Sequence, residues 1–269
     1  MKHTTEHIAL DVALVYNVKH VDNTAQSSSD DAEQEPPSPV AYAHTSSEKN
    51  IFAHNDLYAE WDSIETIHAV GKAIASKHNV TLIEANENVF EQLRTATPQI
   101  VFNVTEGLHG VSREAQIPAM LDFLKIPYTG SDPLTLATCL DKSRTKEILS
   151  YYKIPTSPFF VVENLQGLEN ISSSFPLFVK PLHEGSSKGI YNSCIVRNKE
   201  ELLCEVNKIL ERYNEPVLVE KYLSGREFTV ALLGNGSNVR VLPIVEIKFD
   251  SLPADVNPIY SFEAKWVWD

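Results

Sequence analysis

Apolar positions along the chain alternate between two periods. Residues 8–16 form a nearly unbroken apolar run, interrupted by Asp11, and predict a mostly buried strand. Trp61, Ile64, Ile67, Ile74 and Ala75 fall on one face at helical spacing, with His68 and Gly71 between them. Residues 80–83 predict a short strand, 88–94 a helix and 100–104 another strand. Ile117, Met120, Leu121 and Leu124 mark one face of a further helix. This strand–helix alternation implies an α/β unit with a parallel, Rossmann-like sheet ending near Gly130. No G-x-G-x-x-G follows the first strand, so the dinucleotide fingerprint is not there.

The pattern changes beyond Ser131. Residues 133–140 and 142–152 read as helices, and 159–162 and 177–180 as strands. Asn198-Lys199-Glu200-Glu201 resembles a capping box opening a helix that runs to about Tyr213. Residues 217–222, 227–233 and 239–247 then read as strands, with Gly234-Asn235-Gly236 as a hairpin-type turn. The second half is therefore α+β with antiparallel pairing. The expected division is 1–130, 131–219 and 220–269. Residues 22–50, which include Ser27-Ser28-Ser29 and Pro36-Pro37, are too polar to repay ordering and predict a long mobile insertion.

Composition narrows the class. Of 269 residues 43% are hydrophobic, enough for packed cores in about two domains. The net charge of −13, without a basic patch, argues against nucleic acid as a partner. No apolar run reaches the roughly 18 residues of a membrane span, and the N-terminus reads as a first strand rather than a signal peptide. Cys139, Cys194 and Cys204 have neither C-x-x-C spacing nor an even count, which fits a reducing, cytoplasmic setting better than a disulfide framework or zinc site. His68, His78 and His109 have no ligand-spaced partner and read as ordinary polar positions.

Two stretches carry candidate chemistry. Val179-Lys180-Pro181-Leu182-His183-Glu184-Gly185-Ser186-Ser187-Lys188-Gly189 ends a strand with a lysine and enters a loop of small residues. An ammonium beside exposed backbone N–H groups suits phosphate oxygens. It is not a Walker A loop, because Gly189 and not Ser or Thr follows Lys188. The second stretch, 220–230, sets Glu220 and Glu227 around a short turn, where carboxylates suit the amino group and hydroxyls of a nucleoside. Together they point to an ATP site split between two elements.

The same residues carry a resemblance. Phe102-Asn103-Val104-Thr105-Glu106-Gly107 with Arg113-Glu114-Ala115-Gln116, then Ile126-Pro127-Tyr128-Thr129-Gly130-Ser131-Asp132, then 180–189 and 220–233 stand in the order and spacing found in the D-alanine–D-alanine ligases of the ATP-grasp superfamily. Leu140-Asp141-Lys142 and Glu263-Ala264-Lys265 add to it, and the similarity runs from about Asp56 onward. The resemblance implies a pre-ATP-grasp domain followed by an incomplete ATP-grasp domain. It also implies a carboxylate–amine ligase that forms an amide through an acyl phosphate, with ATP and Mg²⁺ as cofactors and small amino-acid-like substrates. By resemblance, Lys142, Lys180 and Lys265 face the nucleotide phosphates, and Ser186 and Ser187 belong to the loop over them. Glu220 with the backbone of Lys221 and Leu223 meets adenine, and Glu227 meets the ribose. Glu106, Arg113 and Glu114 face the substrate. Lys180, Ser186, Ser187 and Lys265 are the expected catalytic residues. The resemblance also implies a homodimer.

Three departures from the family pattern follow. Val15-Tyr16-Asn17-Val18-Lys19-His20 stands where a glycine-rich turn and an amino-group-binding glutamate are expected. Trp266 replaces a tyrosine after Lys265, so a hydrogen bond to the loop serine is expected to be lost. The resemblance implies that the magnesium-binding residues would follow Asp269, so metal ligands are not expected among these residues, and an unpaired apolar sheet edge is expected. Asp255-Val256-Asn257-Pro258 echoes the metal motif but stands before Lys265 and reads as a loop. A non-catalytic nucleotide-binding module and a split ligase with a complementing subunit are the alternatives.

Overall fold

The computed structural model describes residues 8–19, 56–166, 168 and 174–268. The expected insertion at 22–50 lies outside the described residues. Strand β1 (Asp11–Tyr16) is central in a parallel sheet, flanked by β2 (Asn79–Glu84) and β3 (Ile100–Val104). The register pairs Val12 with both Val80 and Ile100. Helix α1 (Ile64–Ala75) crosses from β1 to β2, with Ser63 as its N-cap. It lies close to the sheet at Gly71, where an added Cβ would meet Leu82 and Leu14. On the other face Ala13, Val15, Ile83 and Val101 pack with Val89 and Leu93 of α2 (Val89–Ala96) and with Ile117 and Leu121 of α3 (Gln116–Leu124).

The second sheet is antiparallel. Its order is β4 (Phe159–Val162), β7 (Val217–Lys221), β5 (Leu177–Pro181) and β6 (Ile195–Val196). Helix α6 (Lys199–Tyr213) covers one face, sealing Leu202, Val206 and Ile209 against Leu177, Val179, Val217 and Val219. The Asn198 side chain caps its first turn through the Glu201 N–H, while the Glu201 carboxylate reaches back to the Arg197 N–H. Helices α4 (Pro133–Leu140) and α5 (Lys142–Tyr151) precede this sheet and start on Asp132 and Asp141, whose carboxylates accept from the first free N–H groups.

Several boundaries differ from those expected. The first strand starts at Asp11, and Ile8 is exposed. Trp61 lies in the turn before α1, where its indole donates to the Gly107 carbonyl, and His78 lies beyond that helix. The runs 227–233 and 239–247 are each broken in two. β8 (Glu227–Thr229) pairs with β11 (Val245–Ile247), and β9 (Leu232–Leu233) with β10 (Arg240–Val241), joined through Gly234. Phe228, Leu232, Leu233, Val241 and Val245 of this ribbon are exposed. Lys265 sits on a short helix, α7 (Phe262–Trp266), not on a strand, because Ser261 caps the turn by accepting from Ala264 N–H.

Candidate nucleotide and substrate site

Antiparallel pairing of β5 with β7 builds the centre of the site. Phe178 stands opposite Glu220, and Lys180 opposite Leu218. Because side chains alternate along a strand, Phe178 and Lys180 share the open face while Leu177, Val179 and Pro181 enter the core. A cleft of about 500 Å³ opens on this face. Apolar Phe178, Ile190, Leu223 and Ile259 line it together with Lys180, Glu220, Glu227 and Tyr260. That volume falls in the range of small-molecule sites.

Glu220 is gripped by two ammonium groups. Lys180 Nζ lies 2.5 Å from Oε1 and Lys146 Nζ 2.7 Å from Oε2. Burial pushes the carboxyl upward, but the two positive charges outweigh it and hold Glu220 below its ordinary range. Each oxygen keeps a lone pair for another donor. The Lys221 N–H donates to the Pro158 carbonyl and its own carbonyl accepts from Ser157 Oγ, which orients this edge. Glu227 accepts from the Tyr260 N–H at 3.2 Å.

Lys142 stands apart from the cleft lining. Its ammonium donates to the carbonyls of Leu182 and Glu184, at 3.1 and 2.5 Å, and so ties down the start of the glycine loop. Burial, reinforced by the nearby Lys180 charge, brings its pKa down to about 8. One turn later on the same helix face, Lys146 makes the contact with Glu220. The spacing of four residues from Lys142 was the one available signal for it.

The loop 184–189 is also differently used. Its N–H groups were expected to be exposed. Instead Gly185 N–H donates to Glu60 Oε1 at 2.7 Å and Gly189 N–H to Asp56 Oδ2 at 3.1 Å. Lys188 N–H bonds within the loop and its ammonium pairs with Glu184 at 2.9 Å. Ser186 and Ser187 both take left-handed backbone angles, φ 45° and 61°. Ser187 Oγ donates to the Tyr260 carbonyl, and Lys265 donates to Ser186 Oγ at 3.3 Å. Trp266 does reach the loop: its indole N–H donates to the Ser186 carbonyl at 3.2 Å, so the bond expected to be lost is replaced by one to the backbone.

The residues expected to face a substrate form a cluster of charge. Arg113 is buried and donates to both oxygens of Glu60, to Glu184 at 3.0 Å and to the His183 carbonyl at 2.9 Å. Oxygens of Glu60, Glu106 and Glu114 lie within 4.8 Å of one another. Burial first, then the charges of Glu114 and Glu60, raise the Glu106 pKa to about 8. Glu114 is raised by burial as well, and Lys265, near Glu106 and Glu60, is lowered by it. Asn17, standing where the family pattern has its glycine-rich turn, is buried. Its Oδ1 accepts from the N–H groups of Glu106 and Gly107, each at 3.0 Å. Glu60 and Asn17 carried no motif in the sequence.

Solved structures share this fold. A D-alanine–D-alanine ligase from Bacillus anthracis, complexed with ATP, matches at TM-score 0.55 and 24% identity, over 90% of this chain and 67% of that one. The D-alanyl-alanine synthetase A of Vibrio cholerae matches at TM-score 0.57 and 15% identity, over 88% and 66%. The shared fold is the α/β architecture of the ATP-grasp class. Residues 149–269 match the family model described as D-ala D-ala ligase C-terminus. A D-alanine–D-alanine ligase of Haemophilus ducreyi is 33% identical over 86% of this chain and 69% of its own length. The uncharacterized protein y4sG of Sinorhizobium fredii is 35% identical over 71% of this chain and 56% of its own length. The chain belongs to the D-alanine–D-alanine ligase family, and it spans 56% and 69% of the length of these two curated relatives.

Proposed function

We propose that this protein is an ATP-dependent carboxylate–amine ligase acting on small amino-acid-like substrates, D-alanine foremost. The observation that carries the reading is the cleft lined by Lys180 and Glu220 of the antiparallel sheet together with Glu227 of the neighbouring β8–β11 ribbon. In this reading residues 1–130 form the first domain, and 131–219 and 220–269 are the two portions around the cleft. Phe178, Ile190 and Ile259 supply apolar walls for a purine, the free lone pairs of Glu220 and the Lys221–Leu223 backbone its polar edge, and Glu227 an acceptor for ribose hydroxyls. Lys180, Lys265 and the Ser186–Ser187 turn lie on the phosphate side. They neutralise charge as the terminal phosphoryl group of ATP passes to a substrate carboxylate, leaving ADP. The amine of the second substrate then attacks the acyl carbonyl, and the C–N bond forms as phosphate leaves.

Mg²⁺ supplies charge neutralisation on the phosphates when bound in this class. Among the described residues the one cluster of three carboxylates does not fit it. Arg113 occupies Glu60, and burial with the neighbouring carboxylates favours the protonated form of Glu106, whereas Mg²⁺ is held by ionised carboxylates, waters and phosphates in a near-ideal octahedron. No step is routed through that cluster. Among the described residues no helix is long and apolar enough to cross a membrane.

Calorimetric titration with ATP tests the nucleotide site, and phosphate release with D-alanine, with mass detection of the dipeptide, tests the reaction. E227Q is expected to weaken ATP binding about tenfold, the scale of one charge-assisted hydrogen bond. Unchanged affinity in both E227Q and K180A would remove this cleft from the proposal.

A further inference from the structure

The glycine loop is held from outside by two carboxylates of one turn. Asp56 and Glu60 are four residues apart on a turn closed by bonds from Ala59 N–H to the Asp56 carbonyl and from Trp61 N–H to that of Tyr58. Gly185 and Gly189 are likewise four apart and bracket the loop. Glu60 accepts from Gly185 N–H, and Asp56 from Gly189 N–H. Each carboxylate is held rigid by its other partners. Arg113 binds both oxygens of Glu60, while Asp56 accepts from Tyr191 at 2.8 Å, from Tyr213 and from Arg212 at 2.7 Å. Neither glycine has room for a side chain. A Cβ at Gly185 would strike the Glu60 carboxylate, and one at Gly189, where φ is +74°, the Pro181 ring.

We infer that Asp56 and Glu60 are positioning residues: a two-point carboxylate clamp that fixes the backbone of the 185–189 loop before any ligand arrives. Because the clamp takes the N–H groups of both glycines, the loop presents to an anion the N–H groups of Ser186 and Ser187, which have no partner among the described residues. The two left-handed serines are thereby ordered in advance, and the ordering entropy is removed from the binding step. The consequence for nucleotide affinity rests on the function proposed above; the clamp itself does not.

Hydrogen exchange read by mass spectrometry on the protein without nucleotide tests the clamp. In E60Q and in D56N, exchange of peptides spanning 183–190 is expected to rise about tenfold or more, from the loss of a bond to a charged acceptor. Peptides of α6 should keep their protection. ATP affinity should fall about tenfold in E60Q. In E227Q it should fall without change in loop exchange. Unchanged loop exchange in E60Q, or a rise spread evenly through the chain, overturns the clamp, and E60Q alone decides if D56N does not fold. Wild-type protein that fails to bind ATP while E60Q still loosens the loop overturns the nucleotide reading and leaves the clamp standing.

Discussion

Replacing Glu106 by glutamine isolates the energetics of the acidic cluster. In the folded protein burial, and after it the charges of Glu114 and Glu60, carry this carboxyl from 4.5 to about 8. The folded value lies above the unfolded one, so the folded protein keeps a proton that the unfolded chain has released. The resulting stability is complete below about pH 4.5 and is lost as pH rises toward 8, at about 1.4 kcal/mol per pH unit. Over the whole rise this is about 5 kcal/mol, an upper figure because Glu106 and the neighbouring Glu114 titrate as a coupled pair. The glutamine variant does not titrate at this position. Urea unfolding of both proteins at about pH 5, 6, 7 and 8 should show E106Q gaining about 2–4 kcal/mol on the wild type across that span. Lys142 does not confuse the result. Its lowered pKa makes stability increase with pH only above about 8, with the opposite sign. A difference between variant and wild type that stays constant within about 0.5 kcal/mol across the series would refute the argument, because the carboxyl would then ionise alike in both states.

Further outcomes concern the cleft and the loop. K146M leaves buried Glu220 with one of its two ammonium partners and should cost about 3 kcal/mol in urea unfolding, partly recovered in K146M/E220Q. G189A combines a left-handed backbone angle with a collision at Pro181 and should lower stability by more than about 2 kcal/mol, seen as a drop in Tm. W266F removes the indole bond to Ser186 O and weakens the ring's contacts with Lys19 and Lys265, so thermal unfolding should move by about 1–2 kcal/mol while loop exchange rises. Equal loop protection in W266F and wild type would show that this bond does not restrain the loop.

Local signals were sufficient for the elements and for the strand chemistry. Hydrophobic period placed β3 at its observed ends and separated the parallel region from the antiparallel one. The Asn198 cap marked the start of α6. Lys180 and Glu220 were legible as a pair because strand alternation sets them on one face of the sheet, while Glu227 enters the same cleft from the next ribbon. Interruptions within strands were not legible, since Val230 and Ala231 have strand-compatible side chains and only pairing reveals the break.

The partners of each charge were decided by the tertiary structure alone. Lys142 turned to loop carbonyls, Lys146 took the place at Glu220, and Asp56 and Glu60 reached residues more than 120 positions away. Nothing local in a sequence encodes such contacts. A carboxylate flanked by ordinary residues is equally compatible with solvent, a lysine or a backbone N–H. Which one it meets follows from how two sheets and their loops pack. The sequence by itself determined which elements form and which strand presents the lysine and the glutamates. Packing determined which N–H groups and charges remain free to meet a ligand, because burial makes an unpaired polar group costly and so drives each to its nearest partner.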